Sequence, residues 1–501
     1  MQKRVTSRYS IIIPLRRGRA LLYNSLNAGL SLLDANEYAA YRQLQAGELD
    51  GIAPEILSAF EEAGYVVPEE TDELEILRQE YNAHRFDPRA MVLTIAPTMA
   101  CNFACDYCFQ GQDKPKETMS QEVQDAVVAL VERASPSVKH LGVSWYGGEP
   151  LLRLRVIESL SDRLMEVCKR RGISYSAMVV TNGYMLSLEA ARSLHQRKVT
   201  WIQVTLDGTP EFHDSRRYLL SKKGSFEKII QNLRAMVDEV PTPVVIRVNI
   251  DDRNSDDIHK LIDYLAEAGL GHRKNFKMYF APIEALTEGC HTVQDLTLGK
   301  ARYGQLEAEL YRHGFRAGLT NLPYPPRFHG TCGAVRPGGL VILPSGDLHK
   351  CWDTVSWPDR RVGTIWNPEA VTDHALTQRW LKWTPFDNDT CKNCKLLPNC
   401  AGACAYKFVH AETTRGEAAV LPCPSWKYNL KERLLFRAVA LGKITEDDFD
   451  RDETRTDPGE LCADIHVDGG KVLPAEMQRY YEQQAKKKFR LPVLENSGAA
   501  V

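Results

Sequence analysis

The cysteines constrain this chain more than any other feature, because ten of the 13 fall into two closely spaced groups. The first group is Cys101-Asn-Phe-Ala-Cys105-Asp-Tyr-Cys108. The second group holds seven cysteines, which are Cys332, Cys351, Cys391, Cys394, Cys400, Cys404 and Cys423. In a reducing compartment, thiols at such spacing bind metal more often than they form disulfides. The spacing therefore predicts loops that hold metal.

Composition supports a globular, metal-binding chain in the cytoplasm. The length of 501 residues indicates about three domains. Lys and Arg number 63 against 65 Asp and Glu, for a net charge of −2, so we expect no nucleic-acid partner. The longest apolar run near the start, Ile11-Ile12-Ile13, is too short for a signal peptide or a membrane span. We therefore expect a cytoplasmic protein without membrane attachment.

The central region, residues 89–310, alternates short apolar strands with amphipathic helices. The predicted strands are Met91–Ala96, Leu141–Tyr146, Ala177–Val180, Trp201–Leu206, Val244–Ile250 and Phe276–Ala281. Six such alternations predict an α/β fold with a parallel sheet, either open or closed into a partial barrel. Ligands of these folds bind at the carboxyl ends of the strands, and the first cysteine group directly follows the first strand.

Three further regions flank this core. Residues 1–88 read as a small module of two strands and three helices, which is the size of a winged helix; a packing extension of the core is the alternative. Residues 325–425 lose the alternation and carry the second cysteine group, which predicts a small domain held by metal. In residues 426–501 we expect a helix over 426–442 and a solvated, partly mobile acidic stretch, Glu446–Glu460.

The C-x3-C-x2-C loop supplies three thiolates. A 4Fe–4S cluster needs four ligands, so three cysteines leave one iron open to a small molecule. Three ligands of a structural zinc site are the alternative reading.

Four strand-end motifs together resemble the radical S-adenosylmethionine (radical SAM) enzymes. They are the cysteine loop with Tyr107, Gly147-Gly148-Glu149-Pro150, Thr181-Asn182-Gly183, and Thr205-Leu-Asp207-Gly208. The resemblance implies that Gly147, Gly148 and Glu149 receive the amino group of S-adenosylmethionine. It also implies that Thr205 and nearby polar groups contact the carboxylate or ribose, and that Tyr107 contacts the adenine. For Asn182 and Asp207, turn formation before glycine is the alternative.

The same resemblance implies a partial (β/α)6 TIM-like radical SAM barrel. S-adenosylmethionine would bind the open iron of a [4Fe-4S] cluster, and one electron from that cluster would release a 5′-deoxyadenosyl radical that abstracts hydrogen from substrate. Such an enzyme also needs a reductant, such as flavodoxin or ferredoxin.

The second group, C-x13-G-x4-C followed by C-x2-C-x5-C-x3-C and a final Cys, resembles the SPASM extension of peptide-modifying radical SAM enzymes. This resemblance implies two auxiliary [4Fe-4S] clusters. Cys332, Cys351 and Cys404 would hold the first, and Cys391, Cys394, Cys400 and Cys423 the second. Cys290 could supply the missing ligand of the first cluster, or else be an ordinary thiol. A pair of zinc ribbons is the alternative. Cys168 is expected in the core, and Cys462 has no assigned partner.

The leading hypothesis for the function is a maturase of a ribosomally made (RiPP) precursor peptide, which installs a thioether or carbon–carbon cross-link. The N-terminal module resembles the precursor-recognition element of such enzymes, which captures a leader peptide as an added strand. Related anaerobic sulfatase-maturating enzymes carry a catalytic Asp directly after the second SPASM Cys, whereas here Asp353 is displaced by one residue. Asp353 is either a catalytic base or a turn residue. The alternatives are formylglycine formation on a sulfatase, a dehydrogenase of a small metabolite, and an electron carrier or binding module.

Overall fold

The computed structural model describes residues 3–322, 324–328, 330–419 and 422–462. Within these ranges, no helix combines the length and the apolar character that crossing a membrane requires.

The N-terminal region is richer in strands than its sequence predicted. Its elements are β1 (Arg4–Thr6), β2 (Ser10–Pro14), β3 (Ala20–Asn24), β4 (Gly29–Leu33), α1 (Ala35–Gln45), α2 (Pro54–Glu62), β5 (Val66–Pro68) and α3 (Glu73–Arg85). The three helices and the β2–β3 hairpin are confirmed, including the capping box in which Asp34 accepts from the Glu37 amide at 2.9 Å. The prediction of two strands was wrong. β1 and β5 have three residues each and pair with each other, and β4 pairs with β3 as the third strand of the N-terminal sheet.

The central region contains the expected parallel sheet. Its elements are β6 (Ala90–Ile95), α4 (Gln121–Ala134), β7 (His140–Trp145), α5 (Leu154–Arg171), β8 (Ser174–Thr181), α6 (Leu188–Gln196), β9 (Val199–Thr205), α7 (Pro210–Arg216), α8 (Phe226–Val237), β10 (Val244–Ile250), α9 (Ile258–Leu265), β11 (Phe276–Pro282) and α10 (Lys300–Arg316). β6 to β11 pair in sequence order, each parallel to the next. This arrangement brings the carboxyl ends of all six strands to one edge.

The helices pack on this sheet through one apolar face, as the periodicity predicted. On α4, the residues Val123, Val127 and Val131 are all buried in the main core. Cys168 on α5 is buried in the same core, which confirms its expected place. The core therefore lies between the sheet and its helices.

The cysteine-rich region joins the same sheet. It comprises β12 (Gly339–Ile342), β13 (Asp347–His349), β14 (Gly363–Thr364), α11 (Ala375–Lys382), α12 (Asp389–Lys392), α13 (Leu397–Cys400), α14 (Tyr406–Val409), α15 (Trp426–Ala440) and α16 (Pro458–Leu461). β12 pairs in parallel with β6, with Val341 beside Thr94, and β13 and β14 continue the sheet in antiparallel order. This pairing fixes the second cysteine group next to the strand that carries the first.

Most acidic residues of the stretch Glu446–Glu460 are exposed, as its charge predicted, whereas Asp448 and Phe449 are buried. The partial mobility of this stretch stays a prediction. Phe449 is buried, and Leu461 directly after the stretch is buried as well, in a core shared with α15 and the N-terminal sheet. Asp448 forms an ion pair with Arg19. The few apolar side chains dock the segment, while its acidic groups pair with basic ones or face solvent. Residues 463–501 of the predicted tail lie outside the described residues.

Candidate active site

A cavity of about 580 Å³ lies at the carboxyl ends of the barrel strands. Ten residues proposed from the sequence line it, namely Cys101, Cys105, Cys108, Tyr107, Gly147, Gly148, Asn182, Thr205, Cys290 and Asp353. Two others, Glu149 and Asp207, are not among its lining residues and are fully buried. The fold therefore gathers most of the proposed site into one chamber and places two of its carboxylates behind the wall.

The C-x3-C-x2-C loop follows β6 directly. Within this loop, the Ala104 amide donates a hydrogen bond to the Tyr218 carbonyl at 3.1 Å, which fixes the loop to the segment after α7. The pKa of the Cys101 thiol is raised to about 12, mainly because the thiol is buried and to a smaller extent because of the charge of Glu149. Lys114 lines the same cavity, and the charges of all three thiols raise its pKa against the opposing effect of burial. A cation beside three thiols is a suitable environment for thiolates and for an anionic cluster.

The donor set fits a cluster better than a single ion. Among the described residues, no three His, Cys, Asp or Glu side chains converge closely enough to hold one metal ion. An iron–sulfur cube, by contrast, takes its thiolates at separate corners. Three soft sulfur donors beside an open cavity suit a [4Fe-4S] cluster with one exchangeable position.

Gly147 and Gly148 are required by the cysteine loop itself. Gly147 has a φ of 145°, which favours glycine, and a Cβ there would lie 2.4 Å from the Thr98 carbonyl oxygen. A Cβ on Gly148 would lie 2.2 Å from the carbonyl oxygens of both Met99 and Ala100. The two glycines thus let the end of β7 lie directly against the backbone that leads into Cys101.

Glu149 acts as a buried hub between two strand ends. Its carboxylate accepts hydrogen bonds from the Leu151 amide at 2.9 Å, the Thr181 hydroxyl at 2.7 Å and the Asn182 amide at 2.7 Å. Burial raises the pKa of Glu149, whereas these hydrogen bonds lower it. Because its oxygens face protein donors, Glu149 fixes the loops that follow β7 and β8 and does not present itself to the cavity.

Asn182 forms the turn that was one of its two predicted roles, and it also contacts the cysteine loop. Its side-chain oxygen accepts from the Tyr184 amide at 3.0 Å, which forms the expected turn. Its side-chain nitrogen donates to Asn102 Oδ1 at 2.8 Å, within the cysteine loop. Asn182 and Thr205 both line the cavity, so they remain proposed contacts for S-adenosylmethionine.

Tyr107 contacts four neighbours. Its hydroxyl donates to Asp207 and accepts from Arg217 and, at 3.2 Å, from the Asn249 side chain, and the Arg216 guanidinium lies 4.7 Å from the centre of its ring. Asp207 also accepts from the Asn249 amide at 3.0 Å, so it joins the ends of β9 and β10. Arg217 lines the cavity and was missed from the sequence. The only signal was a pair of arginines shortly after the Asp207-Gly208 motif.

Asp353 lies where the barrel cavity meets the first set of SPASM-like cysteines. Its Oδ2 is 3.8 Å from the sulfur of Cys351, and burial raises the pKa of Asp353 to about 6. Its charge also raises the pKa of Cys290, after the larger effect of burial. Cys290 is buried, and its sulfur contacts the backbone around Thr287. Cys290 therefore shares the cavity with Asp353.

The seven cysteines of the second group lie in two sets of neighbouring thiols. The thiols of Cys404 and Cys332 both raise the pKa of Cys351, after burial and Asp353, so these three are neighbours. In the other set, Cys423 raises the pKa of Cys400, after burial, and Cys394 is close to Cys400. Burial lowers the pKa of Lys427, but the charges of Cys391, Cys394 and Cys423 raise it, so these thiols lie near its ammonium group.

Comparison with known proteins agrees with this geometry. Residues 95–265 match the Radical SAM superfamily. The chain is 24% identical over 362 residues to a serine-type anaerobic sulfatase-maturating enzyme of Bacteroides thetaiotaomicron, covering 63% of this chain and 82% of the relative. It is 21% identical over 431 residues to the radical SAM cyclopropyl synthase TigE of Paramaledivibacter caminithermalis, covering 76% and 85%.

A solved structure shares the fold. Native anSMEcpe with bound AdoMet and Kp18Cys peptide superposes with a TM-score of 0.52 at 18% identity, over 70% of this chain and 98% of that chain. The cysteine loop, the glycine pair behind it and the superfamily match define a radical SAM enzyme, with S-adenosylmethionine and a [4Fe-4S] cluster as its cofactors. This one is related to the anaerobic sulfatase-maturating enzymes and the SPASM-type peptide maturases.

Proposed function

We propose that this enzyme matures a ribosomally made precursor peptide, by abstracting hydrogen from one residue and installing a thioether or carbon–carbon cross-link or a related oxidative change. The observation that carries the proposal is the shared chamber. Cys101, Cys105 and Cys108 line the same cavity as Asp353, whose carboxylate is 3.8 Å from Cys351. The residues proposed for hydrogen abstraction and those proposed for the later one-electron oxidation of the substrate therefore line the same cavity.

The overall change removes one hydrogen atom, one proton and one electron from the substrate. When bound, S-adenosylmethionine and its cluster supply the 5′-deoxyadenosyl radical that takes the hydrogen atom. Asp353 takes the proton, because a carboxylate with a pKa of about 6 is ionised at neutral pH and basic enough to act. Cys332, Cys351 and Cys404 would hold the first auxiliary [4Fe-4S] cluster, which would accept the electron, with Cys290 as a candidate fourth ligand.

Aromatic side chains shape the space for the substrate residue. Phe109, Tyr146 and Trp352 line the cavity, and the rings of Tyr146 and Trp352 meet edge to face with centroids 4.2 Å apart. Such walls exclude water from a reactive radical.

Of the two cavity carboxylates, Asp353 is the one suited to proton transfer. The other is Glu284, which pairs with Lys407 at 2.8 Å and with Lys300. These two lysines lower the pKa of Glu284 to about 2, although burial alone would raise it. A carboxylate held so strongly in its ionised form is a poor base.

The N-terminal sheet is the proposed docking site of the leader peptide. β2 and β4 are its outer strands, so within the described residues each has one unpaired edge. An unpaired edge is what strand addition requires. The inner face packs on α15 through Ile11, Ile13 and Leu434, which ties a docked leader to the cysteine-rich region.

Mass spectrometry of the co-expressed precursor tests the function. A loss of two hydrogens supports it, and an unchanged mass with the correct precursor contradicts it. Reductive cleavage of S-adenosylmethionine by the reconstituted protein separates an enzyme from a carrier, and Cys105→Ala should abolish that cleavage while the auxiliary iron stays bound.

The similarity to a sulfatase-maturating enzyme favours formylglycine formation on a sulfatase as the second candidate. Incubation with a sulfatase peptide distinguishes the two, because an aldehyde product reacts with hydrazide reagents whereas a cross-link does not.

A further inference from the structure

Among the strand residues that the structure describes, Arg247 on β10 is the charged one that lines the cavity. The other described strand residues along the cavity are neutral, for example Ser144, Gln203 and Thr205. In the register of the parallel sheet, Arg247 lies beside Thr205 on one side and Tyr279 on the other. A guanidinium therefore stands in a wall of uncharged side chains.

The hydrogen-bond partners of Arg247 within the described chain are neutral as well. Its Nε donates to Asn249 Oδ1 at 2.7 Å, and its Nη1 donates to the Tyr279 hydroxyl at 3.2 Å. The Tyr279 hydroxyl in turn donates to Gln203 Oε1 at 2.8 Å, so its oxygen is free to accept from Arg247. These two bonds use two of the five N–H groups of the guanidinium and hold its plane.

Two other cations of the cavity lie next to acidic groups. Arg217 Nη1 is 3.8 Å from Asp207 Oδ2, and Lys114 lies near the thiols of the cysteine loop. Arg247, by contrast, forms no ion pair with any carboxylate of the described residues. The Tyr279 ring, whose centre is 5.8 Å from the guanidinium, brings no formal charge. Because arginine stays protonated, a cation without an anion is costly in a cavity that excludes water.

Neither carboxylate that lines the cavity pairs with Arg247. Glu284 instead pairs with Lys407 at 2.8 Å and with Lys300. Asp353 forms no ion pair within the part of the chain that the structure describes. The negative charge that matches Arg247 is therefore expected to arrive with a bound molecule.

We propose that Arg247 binds a carboxylate of the substrate, so that the residue to be modified, or its direct neighbour in the precursor, is aspartate or glutamate. Three N–H groups of the guanidinium have no acceptor among the described residues, and two of them suffice for parallel hydrogen bonds to one carboxylate. The bonds to Asn249 and Tyr279 hold the guanidinium for this contact. This inference rests on the proposed function, because it names the substrate of that same cavity.

S-adenosylmethionine carries a carboxylate as well, but the cysteine loop where it would bind has cations of its own in Lys114 and Arg217. Arg247 lies further from this loop, since it precedes Asn249 by two residues on β10. The Asn249 side chain lies between Arg247 and Tyr107, because it accepts from Arg247 at 2.7 Å and donates to the Tyr107 hydroxyl at 3.2 Å. Arg247 is therefore deeper in the barrel than the contacts of the loop, which favours the substrate as the source of the carboxylate.

The first test uses the full reconstituted enzyme loaded with S-adenosylmethionine, and two capped amino acids as probes. The α-amides of N-acetyl-aspartate and N-acetyl-asparagine have the same shape and differ by one charge. In isothermal titration, we expect the wild type to bind the aspartate probe about tenfold more tightly, Arg247→Lys to keep part of this preference and Arg247→Gln to lose it. Arg155→Gln, at an exposed arginine of α5, is the matched control and should keep the full preference.

The second test uses the co-expressed precursor and the same variants. Arg247→Gln should retain its bound iron and its affinity for S-adenosylmethionine, but precursor modification should fall about tenfold or more by mass spectrometry. Tandem mass spectrometry of the wild-type product should find aspartate or glutamate at the modified position or beside it. Replacing that acid by its amide should lower modification by the wild type, but not further in Arg247→Gln, because the two changes remove the same contact.

Three results would overturn the proposal. The first is equal binding of the two probes by the wild type, and the second is a product without an acidic residue at or beside the modified position. The third is a loss of affinity for S-adenosylmethionine of about tenfold in Arg247→Gln, which would assign the carboxylate to that molecule. An unchanged precursor mass with the wild type would instead contradict the proposed function, and the binding of the probes would still decide the role of Arg247.

Discussion

Replacing Glu149 by glutamine should loosen the junction between the ends of β7 and β8. In the native protein the carboxylate accepts three hydrogen bonds, two on Oε1 and one on Oε2. A glutamine keeps the oxygen that serves Leu151 and Thr181, but it turns an NH2 group towards the Asn182 amide. That amide then lies buried without an acceptor, at a cost of about 1–3 kcal/mol.

Part of this cost is offset, because the glutamine side chain buries no charge, whereas burial of the native carboxylate already raises the pKa of Glu149. We therefore expect a net loss of about 1–2 kcal/mol, from the hydrogen-bond cost less the recovered desolvation. This corresponds to a fall in Tm of about 2–8 °C for a domain of this size. Affinity for S-adenosylmethionine should fall as well, because Asn182 lines its cavity.

Urea denaturation measures the free energy of unfolding, and isothermal titration measures binding of S-adenosylmethionine. Glu166→Gln is the matched control, since Glu166 is exposed on α5 and the change removes one charge without a buried contact. A Glu149→Gln variant as stable as Glu166→Gln, with native affinity, would refute the view of Glu149 as a hub.

The cavity wall supports three further predictions. Gly148→Ala should lower bound iron by about four per chain, because its Cβ must displace the backbone before Cys101. Gly142→Ala, within β7, should leave the iron unchanged, because the nearest atom to its Cβ is 3.8 Å away, and equal iron in both variants would contradict this prediction. Product formation by the wild type should rise with pH through about 6, because Asp353 must lose its proton to act as a base. Asp353→Asn should lower product formation by roughly 10²–10⁴-fold and abolish that pH dependence, as measured by mass spectrometry between pH 5 and 8, and a retained profile would exclude Asp353 as the base. Arg217→Lys should weaken binding of S-adenosylmethionine by about tenfold in isothermal titration. The arginine can hydrogen bond with Tyr107 and still present N–H groups to the cavity, whereas the single ammonium of a lysine cannot do both, and native affinity would contradict this role of Arg217.

Local patterns were sufficient to predict the parallel sheet and the two groups of cysteines. Each strand of the parallel sheet is a short apolar run in which every second residue is buried, and such runs can be recognised from the sequence alone. The cysteine groups were equally clear, because the spacing of thiols is set within one loop. Charge composition predicted the exposure of most of the acidic stretch, whereas the burial of Phe449 could not be recognised from that composition.

Ten of the residues that line the cavity could be proposed from the sequence by itself, and only the tertiary structure decided what each of them touches. Glu149 and Asp207 read as cavity residues, yet both are buried behind the wall, where they bind backbone amides of neighbouring strands. Arg217 and Arg247 carried no motif, because their positions depend on contacts with residues far away in the chain. Spacing encodes contacts within a loop, whereas contacts between loops arise only when the sheet brings the strand ends together.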